Sequence, residues 1–209
     1  MATLSGDGLV HHWAQGPQDV TLLYAPITYF ERNWTHQFTW CLEDTQAVKA
    51  MGKAGRDNLR YAVNYTLNLH GQSWSRSGVY FSEVQDREKA HIILRVSDDK
   101  VLGPDGLAWA AGWYYHEHGD AIAQITAQPE RLGGYSAFYP GFAYVLGMEI
   151  AGHGCFRMHD MYTLPHIPYT GAMGGWDEAM KSQGYPTQLE IDCAKAWLAG
   201  TAAHVHDHG

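Results

Sequence analysis

Residues 147–160, GMEIAGHGCFRMHD, form the stretch on which the predicted fold and site depend. Helical spacing places Glu149 and His153, four residues apart, on one face, where both side chains can reach one metal ion. His159 can return to the same ion if the chain turns after the helix. One carboxylate, two imidazoles and a position left for water are a known donor set of catalytic zinc. Spacing alone leaves open the alternative of a helix with a buried polar position and an unrelated loop histidine.

The composition of the 209 residues describes a folded chain with one hydrophobic core. A net charge of −8 and the lack of any Lys/Arg run predict no nucleic-acid partner and no anionic membrane partner. The first residues lack a signal-peptide pattern, and no apolar stretch approaches the roughly 18 residues of a spanning helix. We therefore expect a cytoplasmic protein or one assembled into a particle. Three irregularly spaced cysteines argue against a disulfide framework.

Three parts are predicted along the chain. Residues 1–36 alternate turn formers with one short apolar run, VTLLYAPITYF, and are expected to form an N-terminal extension that packs on the main domain. Residues 37–200 form the main domain. Residues 201–209 form a flexible histidine-rich tail, where adventitious metal capture is expected.

Hydrophobic periodicity predicts alternating strands and helices in the main domain. Strands are predicted in THQFTWCLE, GVYFSEV, AHIILRVSD and near the end of GLAWAAGWYYHEHGDAIAQIT. GRDNLRYAVNYTLNLHG predicts an amphipathic helix with one face made of Leu59, Ala62, Val63, Thr66 and Leu67. A second helix is expected after Pro140. PTQLEIDCAKAWLAG predicts a closing helix with Thr187 as N-cap and Glu190 at the capping-box position.

Read in order, these segments resemble the catalytic domain of the metzincin zinc metalloproteases, closest to the matrixin and snapalysin branches. The resemblance covers the chain from about Gln37 to Gly200. Within this range it is also carried by the segments SAFYPGFAYVLGMEIAGHGCFRMHD, which resembles the active-site helix and its exit, and TGAMGGWD, which resembles the Met-turn. It implies an α+β fold with a twisted mixed sheet, an antiparallel edge strand, an active-site helix, a Met-turn at Met173 and a C-terminal helix. It also implies one bound zinc ion and peptide-bond hydrolysis.

The family motif H-E-x-x-H-x-x-G-x-x-H can be placed on this chain in two ways. Without an insertion, Glu149 replaces the first zinc histidine, while His153 and His159 match the second and third. This alignment is preferred because it gives three ligands, but it puts Ile150 in place of the general-base glutamate, and isoleucine cannot accept a proton. If the helix absorbs one extra residue as a π-bulge, Glu149 is the catalytic base and Met148 replaces the first histidine.

His116 and His118, in YYHEHGD, are a candidate second metal pair. On a strand, residues two apart share a face, so the two imidazoles could hold a metal or line a cleft. Solvated edge histidines are the alternative. In matrixins this neighbourhood supports a structural zinc, but Ile122 stands where one of its ligands is expected, which weakens the case for a second site.

Two functions stay open at this point. One is a divergent metzincin-like zinc protein that hydrolyses peptide bonds. The other is a catalytically inactive module of the same fold that binds a protein or peptide, for example as a structural subunit of a phage or virus particle. Because a fold does not establish an activity, the site has to decide between them.

Overall fold

The computed structural model describes residues 36–97, 112–127, 140–156, 171–174 and 176–198, together with the backbone of strands 9–15 and 18–24. The two separate strands, β1 (Leu9–Gln15) and β2 (Gln18–Tyr24), pair antiparallel as a hairpin. The packing of residues 1–36 on the main domain stays a prediction, and the histidine-rich tail lies outside the described residues.

The main sheet has five strands in the order β4-β3-β5-β7-β6. Four of them run parallel: β3 (Gln37–Leu42), β4 (Tyr80–Glu83), β5 (Ile92–Ser97) and β7 (Asp120–Thr126). β6 (Gly112–Glu117) pairs antiparallel with β7 at one edge. The central strands consist of nearly continuous apolar residues, as expected for parallel strands buried on both faces.

Several helices accompany the sheet, so the architecture agrees with the expected α+β class. They are α1 (Gln46–Ala50), α2 (Gly52–Asn64), α3 (Pro140–Leu146), α4 (Trp176–Lys181) and α5 (Gln188–Leu198). α2 continues as a π-helical turn, Tyr65–Leu69, and α3 continues as a longer π-helical segment, Gly147–Cys155. In the part of the chain that the structure describes, no helix has the length and apolarity needed to cross a membrane.

The core lies between one face of the sheet and the helices α2 and α3. The five positions predicted for the buried face of the first long helix are all buried, which confirms that prediction. Large side chains from the sheet, including Trp40 and Leu94, pack with Phe142 and Leu146 of α3. Burying each such side chain contributes about 1.5–3 kcal/mol. This packing fixes α3 and its π-helical continuation across the sheet.

A network of ion pairs joins the strand ends on the sheet. The guanidinium of Arg95, on β5, donates two hydrogen bonds to the carboxylate of Glu43 and a third to Glu117 at the end of β6. Arg87 donates to Glu43 at 2.8 Å and to Asp120 at the start of β7. Two arginines and three carboxylates therefore hold the β6–β7 hairpin against the neighbouring strands.

Glu43 makes the stability of this network depend on pH. The hydrogen bond from Arg95, helped by that from Arg87, holds the pKa of Glu43 below its ordinary value in the folded chain. Its stabilising contribution is thus fully present above the unfolded-chain pKa of about 4.3 and is lost as the pH falls through the lower folded-state pKa. We expect Glu43→Gln to destabilise the protein at pH 7 and to have a progressively smaller effect as the pH falls below the unfolded-chain pKa, measured by urea unfolding at each pH. The matched control is Glu88→Gln, at an exposed glutamate outside this network.

Candidate metal centre

The helix that carries Glu149 and His153 changes its hydrogen bonding at Gly147. From there to Cys155 each turn closes between residues five apart, and the segment ends with the Phe156 N–H donating to the Ala151 carbonyl at 2.8 Å. Such π-helical segments occur frequently at functional sites. One of the two sequence alignments required an extra residue to be absorbed at this place in the helix.

Glu149 and His153 lie together, as their spacing predicted. The Glu149 Oε2 and His153 Nε2 atoms are 4.0 Å apart, and their side chains are 7% and 15% exposed. The ring of Tyr114, on β6, stacks on the His153 imidazole with a centroid distance of 6.0 Å. A carboxylate and an imidazole at this separation, almost withdrawn from solvent, can attract a cation between them.

The edge strand β6 passes directly beside Glu149. A Cβ atom added at Gly112 would lie 2.3 Å from Val145 Cγ1 and 3.2 Å from Glu149 Oε1. A residue other than glycine at position 112 would therefore displace the strand or the Val145 side chain and would crowd the Glu149 carboxylate. Gly112 and Tyr114 place one edge of the sheet against the two candidate ligands, a role that the sequence did not suggest for either residue.

Met173 lies beneath the same helix. It occupies a turn, residues 171–174, in which the Gly174 N–H donates to the Gly171 carbonyl at 3.1 Å. Its side chain is fully buried, and a Cβ atom added at Gly152 would lie 2.0 Å from its sulfur. The helix can approach this methionine because position 152 has no side chain.

Glu190 holds that turn in place. The Met173 and Ala172 N–H groups donate to its two carboxylate oxygens at 2.6 and 3.2 Å. The same carboxylate accepts from the backbone N–H and the hydroxyl of Thr187 at 2.6 and 3.0 Å, which forms the predicted capping contact of α5. The pattern T-x-x-E predicted the cap, but nothing in the sequence linked Glu190 to Met173.

The other candidate residues are placed as follows. Ile150, at the base position of the preferred alignment, is completely buried. His159 lies outside the described residues, so the third ligand stays a prediction. His118 occupies the turn between β6 and β7 with a φ of 52°, so it is not on the strand and the argument that it shares a strand face with His116 does not hold. The side chain of His116 lies outside the described part.

Within the described ranges, no group of three or more His, Cys, Asp or Glu side chains is arranged to hold a metal ion. Cys155 is buried, and burial raises the pKa of its thiol well above the ordinary value, so it does not supply a thiolate near neutral pH. The donors that the described structure brings together are therefore the Glu149 carboxylate and the His153 imidazole. Comparison of the chain with protein-family models, with curated proteins and with solved structures found no match.

The contact between Gly152 and Met173 predicts a specific stability effect. Gly152→Ala inserts a methyl group where the sulfur lies, so we expect a loss of about 1–3 kcal/mol in the free energy of unfolding. In a Met173→Ala background the same substitution should cost much less, because the obstructing atoms are gone. Gly71→Ala is the matched control, since a Cβ atom there meets nothing within 4 Å. Equal losses at 152 in both backgrounds would contradict the proposed contact.

The double role of Glu190 predicts that its removal costs more than loss of the helix cap. Thr187→Ala removes a capping hydroxyl and should cost about 1 kcal/mol. Glu190→Ala also leaves the buried N–H groups of the Met173 turn without their acceptor, so we expect a further loss of about 1–3 kcal/mol. Denaturant unfolding of both variants tests this. Similar losses would mean that the link to the turn contributes nothing.

Proposed function

We propose that this chain is a divergent metzincin-like zinc-binding protein whose metal centre is formed by Glu149, His153 and His159. The observation that supports it most is the 4.0 Å separation of the Glu149 carboxylate and the His153 imidazole on one helix. His159 would complete the centre from the segment that follows the helix. This donor set fits zinc, since two imidazoles and a carboxylate occur at catalytic zinc sites.

The proposed metzincin-like fold draws support from the surroundings of this helix. An antiparallel edge strand, β6, lies against Glu149 on one flank. A turn with a buried methionine lies beneath Gly152, and α5 closes the domain with its cap joined to that turn. The sequence resemblance implied an antiparallel edge strand, a Met-turn at Met173 and a C-terminal helix.

Peptide-bond hydrolysis is the proposed reaction if the centre is catalytic. Bound zinc would polarise the peptide carbonyl and acidify a water molecule. The chain itself would orient the substrate along β6, whose outer edge has no strand partner in the described sheet and could pair with an extended peptide. Glu149 lies beside Gly112 of β6 and is the one carboxylate on the π-helical segment.

A second candidate function rests on Ile150. If Glu149 serves as a ligand, the base position is occupied by an aliphatic side chain that is completely buried and cannot accept a proton. The domain would then be a catalytically inactive module that binds a protein or peptide partner, for example within a larger assembly such as a phage or virus particle.

Zinc stoichiometry tests the proposed centre. The full-length chain with His204, His206 and His208 changed to Asn should bind about one zinc ion per chain tightly, because three protein ligands are expected. His153→Ala in this background should lose that ion, whereas His36→Ala, at an exposed histidine, should keep it. Metal analysis after dialysis measures both. Equal zinc in the reference protein and the His153→Ala variant would exclude the centre.

Glu149→Gln separates the two roles of the carboxylate. If Glu149 is a ligand, the variant should lose zinc, because a neutral amide is a much weaker donor than a carboxylate. If Glu149 is the base, the variant should keep zinc and lose peptide hydrolysis by about 100-fold or more. Stoichiometric zinc without hydrolysis in the unmodified protein would favour the inactive module.

A further inference from the structure

A surface pocket of about 330 Å³ lies away from the candidate metal centre. Two parts of the chain line it. One is the end of the segment that follows the first long helix, where a short 3₁₀-helix, Trp74–Ser77, carries Arg76. The other runs from Lys181, the last residue of α4, to Gln188, the first residue of α5. The volume lies within the range of sites that bind small molecules.

The described lining of this pocket carries positive side chains and no negative ones. Arg76 and Lys181 contribute two cations, and the other lining residues are neutral. The ion pairs of the described residues are made by other lysines and arginines. Burial raises the pKa of the lining residue Tyr185 to about 12, so its phenol also stays uncharged near neutral pH. In a chain with a net charge of −8, this pocket is a local positive site that attracts anions.

Gln188 orients the guanidinium of Arg76 without neutralising it. Arg76 Nη2 donates a hydrogen bond to Gln188 Oε1, and Gln188 Nε2 donates to Asp192 Oδ1 at 2.8 Å. The neutral amide thus stands between the arginine and the carboxylate. A guanidinium has further N–H donors, and these remain for a ligand in the pocket.

Buried contacts hold both parts of the lining in place. Trp74 is 1% exposed and stacks on Phe156 with a centroid distance of 5.5 Å, which anchors the 3₁₀-helix. On the other side, Gly184 has a φ of +77°, and a Cβ atom there would lie 2.2 Å from the carbonyl oxygen of Pro140. The loop after α4 is therefore pressed against the start of α3. A pocket formed in advance loses little conformational freedom when a ligand binds, which favours affinity.

We infer that this pocket binds the oxyanion group of a small molecule, a phosphate or a carboxylate, through Arg76 and Lys181. A guanidinium can bind either oxyanion with two parallel N–H donors, and the lysine ammonium adds a point charge. Neutral groups of the lining, such as the Ser182 hydroxyl, are available for the rest of the molecule. The inference goes beyond the proposed metal centre and is independent of it, because neither Glu149 nor His153 lines the pocket.

Calorimetric titration of the full-length chain with inorganic phosphate, with glutarate and with neutral glycerol tests the pocket. Phosphate or glutarate should bind at a single site, the tighter of the two showing which oxyanion is preferred, and glycerol should not bind. Arg76→Gln and Lys181→Gln should each weaken anion binding by at least about tenfold, as expected for loss of a charge-assisted hydrogen bond. Lys195→Gln is the matched control, since it removes an exposed cation of α5 that does not line the pocket.

Gln188→Glu tests the same site without removing a cation. The new carboxylate would neutralise Arg76 and should also weaken anion binding by at least about tenfold, while an acidic residue in the first turn of α5 favours the helix. His153→Ala should leave anion binding unchanged. Equal affinities in Arg76→Gln and Lys195→Gln, or no binding of either anion in the millimolar range, would overturn the inference. Loss of anion binding in His153→Ala, with binding kept in Arg76→Gln, would place the anion at the metal centre and would overturn it as well.

Discussion

The buried carboxylate of Glu190 is the constraint on which the candidate site depends. A charged group withdrawn from water is tolerated only when hydrogen bonds replace its hydration, and Glu190 receives them from Thr187 at the start of α5 and from Ala172 and Met173 in the turn. Helix and turn therefore form one unit. Because Met173 lies directly beneath Gly152, α5 helps to position the helix that carries Glu149 and His153.

Neighbouring side chains approach the π-helical segment closely at its glycines, which have no side chain. Gly147 faces Trp74, Gly152 faces Met173, and Gly154 faces Ile92 of β5, and at each of them a Cβ atom would lie within 2.6 Å of its neighbour. These contacts are made at positions other than those of the candidate ligands Glu149 and His153. The packing thus fixes how the segment is rotated, and that rotation decides which side chains face β6.

Much of the fold could be predicted because its signals are local. Alternating apolar residues predicted β3, the run in β5 predicted a buried strand, and the T-x-x-E pattern predicted the start of α5. The β6–β7 turn was missed because His118 takes a left-handed conformation that the sequence does not require, with the more usual glycine, Gly119, following it. α4 was not predicted, because its six residues are too few to show a hydrophobic period.

Only the site residues that share one helix could be predicted, because helical periodicity relates residues close in sequence. The spacing of Glu149 and His153 brings them together in either kind of helix, so this pair could be found from sequence. The contacts of Met173 and Glu190 join residues distant in sequence, and no local pattern encodes them.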